Sequence, residues 1–272
     1  MTRFIKAHAC GNDFLVVERA AGGEGAGDPL LAQQLCARTT GVGADGVEFL
    51  EWMGERAGRI RLFNADGSVA EISGNGTRCV AAWMAHSRQA GAGETVTLET
   101  DAGKRACRIV RVDGSRYEIV SGMGVPRVAA RTVTLDEEGI AVEGAVVSTG
   151  NPHFVIFVED GSFRLHGRSW QEIGSAICVH PDFPAQTNVE FVRVVDTDQI
   201  EIRIFERGVG PTSSSGTGTC AGAAATMTLG GAARSLAVRA PGGEQRVDWP
   251  AADAEMLLTG PAEIIAVGEA FA

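Results

Sequence analysis

Two pentapeptides combine residue types and spacing that could do chemistry: SGNGT at Ser73–Thr77 and SGTGT at Ser215–Thr219. Each puts glycines where a helix begins. Glycine permits φ > 0 and close backbone approach, so several N–H groups can converge on one anion. The exposed N–H groups and the positive end of the helix then favour a carboxylate or phosphate. A serine N-cap, with its hydroxyl closing the first turn, accounts for one such stretch equally well. Two copies carry more weight. Brought together about one carboxylate, they would set two opposed side chains across its α-carbon, a geometry for removing a proton from one face and returning it on the other.

The remaining reactive side chains point to no metal or carbonyl chemistry. The six cysteines (Cys10, Cys36, Cys79, Cys107, Cys178, Cys220) form no CxxC pair and read as reduced, half-buried apolar residues. The five histidines (His8, His86, His153, His166, His180) make no HxxxH or HExxH pattern, so no metal site is expected. Only Lys6 and Lys104 are lysines, and both read as solvated surface residues rather than Schiff-base formers.

The elements that must position the two pentapeptides are themselves duplicated. IRLFNADG at Ile60–Gly67 matches IRIFERGVG at Ile202–Gly210, 142 positions later. The same offset aligns Asp45–Leu50 with Thr187–Val192, and SGNGT with SGTGT. An offset of 139 sets Gly11-Asn12 and its apolar run against Gly150-Asn151 and its own. Four collinear matches imply two homologous halves, each a layered α/β unit. In each half an apolar strand follows Gly-Asn, a second is VEFL or VEFV, and a third ends in IRLF or IRIF. Helices are expected over Thr77–Arg88 and Thr219–Leu229, Ala-rich and apolar on most sides, hence buried. Ala20–Gly27 (AAGGEGAG) reads as a surface loop, and Tyr117–Pro126 as the crossover between halves.

At 272 residues the chain suits one large domain or two ordinary ones, and 44% apolar with 21% charged residues is a globular composition. A net charge of −10 disfavours a nucleic-acid partner. No apolar stretch approaches the roughly 20 residues of a membrane span. The opening MTRFIKAHACGND turns polar too early for a secretory signal.

HACGNDFLVVE, TGVGADGVEFL, NADGSVAEISGNGTRCVA, GNPHFVIFV, TNVEFVRV and IFERGVGPTSSSGTGTCAGAAA resemble the motif series of the diaminopimelate epimerases, in order and over essentially the whole chain. The resemblance implies an α/β (α+β) fold of two pseudo-symmetric duplicated domains. Each would be a mixed, mostly antiparallel sheet wrapped around a central helix, with the active site in the cleft between them. The domains would be 1–118 with a C-terminal strand at 263–272, and 119–262. It further implies a cytoplasmic, cofactor-independent isomerase, commonly a homodimer, that interconverts LL- and meso-diaminopimelate for lysine and peptidoglycan synthesis.

Transferred by motif, the family's backbone donors to the reacting α-carboxylate fall on Gly74, Asn75, Gly216 and Thr217. Asn64, Asn151, Asn188 and Arg207 match the residues that hold the distal amino and carboxylate groups, and Asn12 a further substrate contact. Glu206 and His153 match residues beside the reacting centre. The family's two catalytic cysteines fall on Ser73 and Ser215. A thiol ionises near 8.5 and a helix N-terminus lowers that value, whereas a serine hydroxyl needs an adjacent base. Three readings remain: an epimerase whose cysteines were replaced, a natural serine variant running the same reaction or a related elimination with help from His153 and Glu206, or a relative that binds a diamino acid without turning it over.

Overall fold

The computed structural model describes residues 1–271 except 21, 24, 26, 71 and 136–138; three positions of the Ala20–Gly27 loop therefore lie outside the described residues. The chain divides into one unit of Met1–Gly122 with Thr259–Ala272 and a second of Met123–Leu258. The first holds β1 (Thr2–Ala9), β2 (Asn12–Arg19), α1 (Asp28–Cys36), β3 (Gly46–Trp52), β4 (Ala57–Asn64), β5 (Val69–Ala70), α2 (Gly74–Arg88), β6 (Thr95–Thr100), β7 (Gly103–Asp113) and β8 (Arg116–Gly122). The second holds β9 (Arg127–Leu135), β10 (Ile140–Ser148), β11 (Pro152–Phe157), α3 (Trp170–Cys178), β12 (Asn188–Asp196), β13 (Gln199–Glu206), β14 (Gly210–Thr212), α4 (Gly216–Leu229), β15 (Ser235–Ala240) and β16 (Gly243–Asp248). The last strand, β17 (Leu257–Ala270), returns to the first unit.

In the first unit the sheet closes on itself. β1 pairs with β2, β2 with β3, β3 with β4, β4 with β6, β6 with β7, β7 with β8, β8 with β17, and β17 with β1. β2–β3 and β4–β6 run parallel. Helix α2 supplies the core, and every residue from Gly74 to Ala85 is buried. A helix apolar on all sides has no solvent face to offer, so it lies inside. Val80, Met84 and Cys79 pack with Ile5, Val16, Leu50, Leu62, Leu98, Ile109 and Ile119. Each such aliphatic side chain contributes about 1.5–3 kcal/mol on burial. Arg78, with no exposed surface, donates to Pro261 O on β17 at 3.4 Å. The opposite face of the sheet carries Leu15, Val17, Val47, Phe49 and Phe63 against Ala32 and Leu35 of α1.

The second unit repeats this plan with β9–β10–β11–β12–β13–β15–β16 in order, β11–β12 and β13–β15 being the parallel pairs. Helix α4 is buried from Gly216 to Met227, against Val155, Val192, Ile200, Ile202 and Leu236. Helix α3 covers the other face, with Ile173 and Ile177 on Phe154, Val189 and Phe191. Its start is fixed by a capping box between Ser169 and Glu172.

The pairing registers repeat as well. Phe14 faces Gly46 across β2–β3, and His153 faces Asn188 across β11–β12. Phe63 faces Val69 across β4–β5, and Phe205 faces Pro211 across β13–β14.

Four details differ from expectation. Both helices start three residues earlier than expected, at Gly74 and Gly216, so the glycines form the first helical turn. None of Gly74, Gly76, Gly216 or Gly218 has a positive φ; close approach, not left-handed backbone, is what these glycines provide. Lys6 is no solvated lysine either: its ammonium lies 2.9 Å from Asp13 and donates to Gly43 O at 2.6 Å. The cysteines are buried rather than half-buried, and all six are free.

Candidate active site

In the second unit four of the residues singled out from the sequence, Ser215, Thr217, Asn151 and His153, meet in one hydrogen-bonded chain. Ser215 caps α4, its Oγ accepting from Gly218 N at 3.3 Å. That Oγ is 3.5 Å from Thr217 Oγ1, to which Asn151 Nδ2 donates at 3.4 Å. Asn151 Oδ1 then meets His153 Nε2 at 2.8 Å, and His153 Nδ1 meets Glu190 Oε1 at 2.7 Å. Because Asn151 donates toward Thr217, its carbonyl faces the imidazole, so His153 Nε2 is the donor there.

His153 and Glu190 expose nothing to solvent. Burial pushes the Glu190 carboxyl up, and the charge and hydrogen bond of His153 pull the other way. β11 and β12 bring the two together, because they run parallel with His153 opposite Asn188, two positions before Glu190.

Asn188 ties the adjoining loops. Its Nδ2 donates to Pro152 O at 3.2 Å, and its Oδ1 accepts from Arg207 N at 2.9 Å. The exposed Arg207 guanidinium donates to Ala185 O at 2.8 Å. Glu206, half-buried, ends β13 beside it. Gly216 and Thr217 are the first two residues of α4, where N–H groups have no intrahelical acceptor.

The first unit has the same cap with different surroundings. Ser73 Oγ accepts from Gly76 N at 3.1 Å, and Gly74 and Asn75 open α2. Asn75, 1% exposed, donates to Asn12 Oδ1 at 3.1 Å and accepts from Arg78 Nη2 at 2.5 Å. Asn12 donates to Asp45 Oδ2 at 2.6 Å, and Arg38 bridges Asp45 and Asp13. Burial acts to raise the Asp13 carboxyl, but hydrogen bonds and charge from Arg38 and Lys6 outweigh it and hold Asp13 below the usual range. Asn64 stands apart, in its own turn, donating to Ser68 Oγ at 2.9 Å.

Two carboxylates that the sequence reading did not single out lie under the capped turns. Glu48 and Glu190, 142 positions apart, occupy the same place in VEFL and VEFV. Both are fully buried. A Cβ built on Gly76 would overlap Glu48 Oε1, and one on Gly218 would come 2.8 Å from Glu190 Oε1 and 3.4 Å from Ser215 Oγ. The repeat itself was the available signal: an acidic residue kept at one position of both copies.

Among the described residues no three His, Cys, Asp or Glu side chains cluster as a metal site requires, and no helix is long and apolar enough to cross a membrane.

The diaminopimelate epimerase family model matches residues 4–129 and 145–265. A diaminopimelate epimerase of Desulforudis audaxviator is 39% identical over 98% of this chain and 98% of its own length. One of Xanthomonas axonopodis pv. citri is 36% identical over 98% and 95%. Among solved structures, a predicted epimerase from Pseudomonas aeruginosa superposes with a TM-score of 0.75 at 20% identity, covering 100% of both chains, a likeness of fold.

Proposed function

Because the chain belongs to the diaminopimelate epimerase family, we propose that it interconverts LL- and meso-diaminopimelate by removing and returning the α-proton, without a cofactor. The observation that carries this reading is the pair of buried helices, α2 and α4, each capped by a serine at the same position of the repeat. Backbone N–H groups of Gly74, Asn75, Gly216 and Thr217 receive the α-carboxylate and stabilise the charge that builds on it as the proton leaves. Ser73 and Ser215 are the groups that exchange the proton, and His153 and Glu206 tune the reacting centre. Asn12, Asn64, Asn151, Asn188 and Arg207 hold the rest of the substrate, Arg207 by two parallel bonds to the distal carboxylate. The reading includes a cytoplasmic enzyme of lysine and peptidoglycan synthesis, acting as a homodimer.

Serine in place of cysteine favours a second reading, a relative that binds the diamino acid without turning it over. Incorporation of deuterium at the α-carbon of LL- and meso-diaminopimelate in D₂O separates the two, with the Ser73→Cys/Ser215→Cys protein alongside. Exchange by the parent supports the epimerase. Binding without exchange by the parent, with exchange by the double cysteine variant, supports the second reading. Neither exchange nor binding by either protein overturns both.

A further inference from the structure

Among the described residues, both carboxylate oxygens of Glu48 are buried without a hydrogen-bond partner. A buried unpaired polar group costs stability, so its presence calls for a reason. Strand geometry supplies the direction in which it points. Val47 and Phe49 belong to the outer cluster with α1, while Leu50 packs with α2. Glu48 alternates with Val47 and Phe49 and therefore faces α2. There Gly76 alone separates it from the cap: the Gly76 N–H donates to Ser73 Oγ at 3.1 Å, and the Gly76 Cα is turned to Glu48 Oε1.

The internal repeat gives the comparison. Glu190 stands at the same place beneath Ser215, and there His153 meets it at 2.7 Å. The position of His153 is taken by Phe14 in the first unit, whose ring lies 3.3 Å from a Cβ built on Gly76. Among the described residues, the hydrogen-bond partner that Glu190 has in His153 thus has no counterpart beside Glu48.

We propose that Glu48 is the proton acceptor behind Ser73. As Ser73 Oγ takes the α-proton of the substrate, the Ser73 hydroxyl passes its own proton to the Glu48 carboxylate, which has no hydrogen-bond partner in the free protein and comes into contact with Ser73 as substrate binds. The Cα–H bond breaks and a new Ser73 O–H bond forms; the old Ser73 O–H bond breaks and a Glu48 O–H bond forms. The electron pair stays on the α-carbon and its carboxylate until Ser215 protonates the opposite face, its O–H bond breaking as the new Cα–H bond forms; the Ser215 oxyanion is then reprotonated from solvent as Glu48 gives up its proton to solvent. This inference rests on the proposed reaction.

The chemistry suits the surroundings. Burial, with the negative charge of Asp101 added, raises the Glu48 carboxyl to about 8. A general base works best with its pKa near ambient, and an ordinary carboxylate would be too weak to draw a proton from a hydroxyl. The other charged and titratable groups around this end of α2 are Arg78, Cys10 and Asp13, which act with Glu48 on Cys79.

The test is a double-mutant cycle read by α-hydrogen exchange from D₂O. Glu48→Gln keeps the shape of the protonated side chain but accepts no proton. In the parent, it lowers kcat about 100-fold with KM little changed, and abolishes the rise in rate between about pH 6.5 and 8.5. In the Ser73→Cys/Ser215→Cys background, whose thiolate needs no such partner, the same substitution costs at least tenfold less. Equal losses in both backgrounds, or a Glu48→Gln protein that exchanges as fast as the parent with the same pH profile, overturn the proposal and leave the epimerase reading standing. An inert parent beside an active double cysteine variant overturns the proposal too, and supports the second reading, binding without turnover. Inertness of both overturns the epimerase reading, and this proposal with it.

Discussion

Phe14 and His153 stand at the same register position of the two copies of the repeat, each beside a buried glutamate. One glutamate therefore hydrogen-bonds an imidazole and the other faces a phenyl ring. His153→Phe gives Glu190 the surroundings of Glu48. Removing one partner of a buried pair costs about 3–5 kcal/mol, so the melting temperature falls on the order of 10 °C by calorimetry. Phe14→His in the same protein has no such cost to incur, because it brings Glu48 a partner it lacks.

Stability depends on pH through Glu48. Its carboxyl is raised from the ordinary 4.5 to about 8 by burial and the charge of Asp101. Between those values the folded chain holds a proton that the unfolded chain releases, so stability falls as pH rises from about 4.5 to about 8. The loss is on the order of 4–5 kcal/mol. Urea unfolding shows Glu48→Gln matching the parent near pH 4.5 and exceeding it near pH 8.

Alanine at Gly76 or Gly218 tests the close approach. Gly→Ala inside a helix ordinarily gains roughly 1 kcal/mol. Here the added carbon meets Glu48 Oε1 or Glu190 Oε1, and the sign reverses, to a loss of about 1–3 kcal/mol. Gly76→Ala is the worse of the two, and Glu48→Ala relieves it, whereas Glu190→Ala does not.

Thiol labelling distinguishes old cysteines from new ones. All six native cysteines are buried, and burial pushes Cys36 and Cys107 up to about 11. Iodoacetamide at pH 7.5 leaves the folded parent unmodified. Ser73→Cys places a thiol at the N-terminus of α2, where the backbone field lowers its pKa, and it is labelled. Diaminopimelate slows that labelling.

Much of this architecture is written in the repeat. The offsets of 142 and 139, read from strings of residues, reappear as the pairing of Phe14 with Gly46 and His153 with Asn188. The helix starts were placed late because Gly74, Gly76, Gly216 and Gly218 have poor helix propensity and read as a turn. Burial of a compact first turn against a carboxylate overrides that propensity, a tertiary effect invisible to local composition. Glu48 and Glu190 were missed for a related reason. An acidic residue in an apolar strand reads as the solvent-facing member of an alternation, but β3 and β12 are covered on both faces, by α1 and α2 and by α3 and α4. Lys6 misled in the same way, its partners being brought to it by strand pairing: Asp13 on the adjoining β2, and Gly43, 37 residues away.

β17 has a consequence for synthesis. All strands of the second unit lie between residues 123 and 258, but the first unit needs Thr259–Ala270 to join β1 and β8 and to give Arg78 the Pro261 carbonyl. On the ribosome, the half translated first waits with an open seam until residues 259–270 leave the exit tunnel. The half translated second has its strands complete before then. Emergence of β17, rather than completion of the first 122 residues, sets the moment at which α2 is sealed from water.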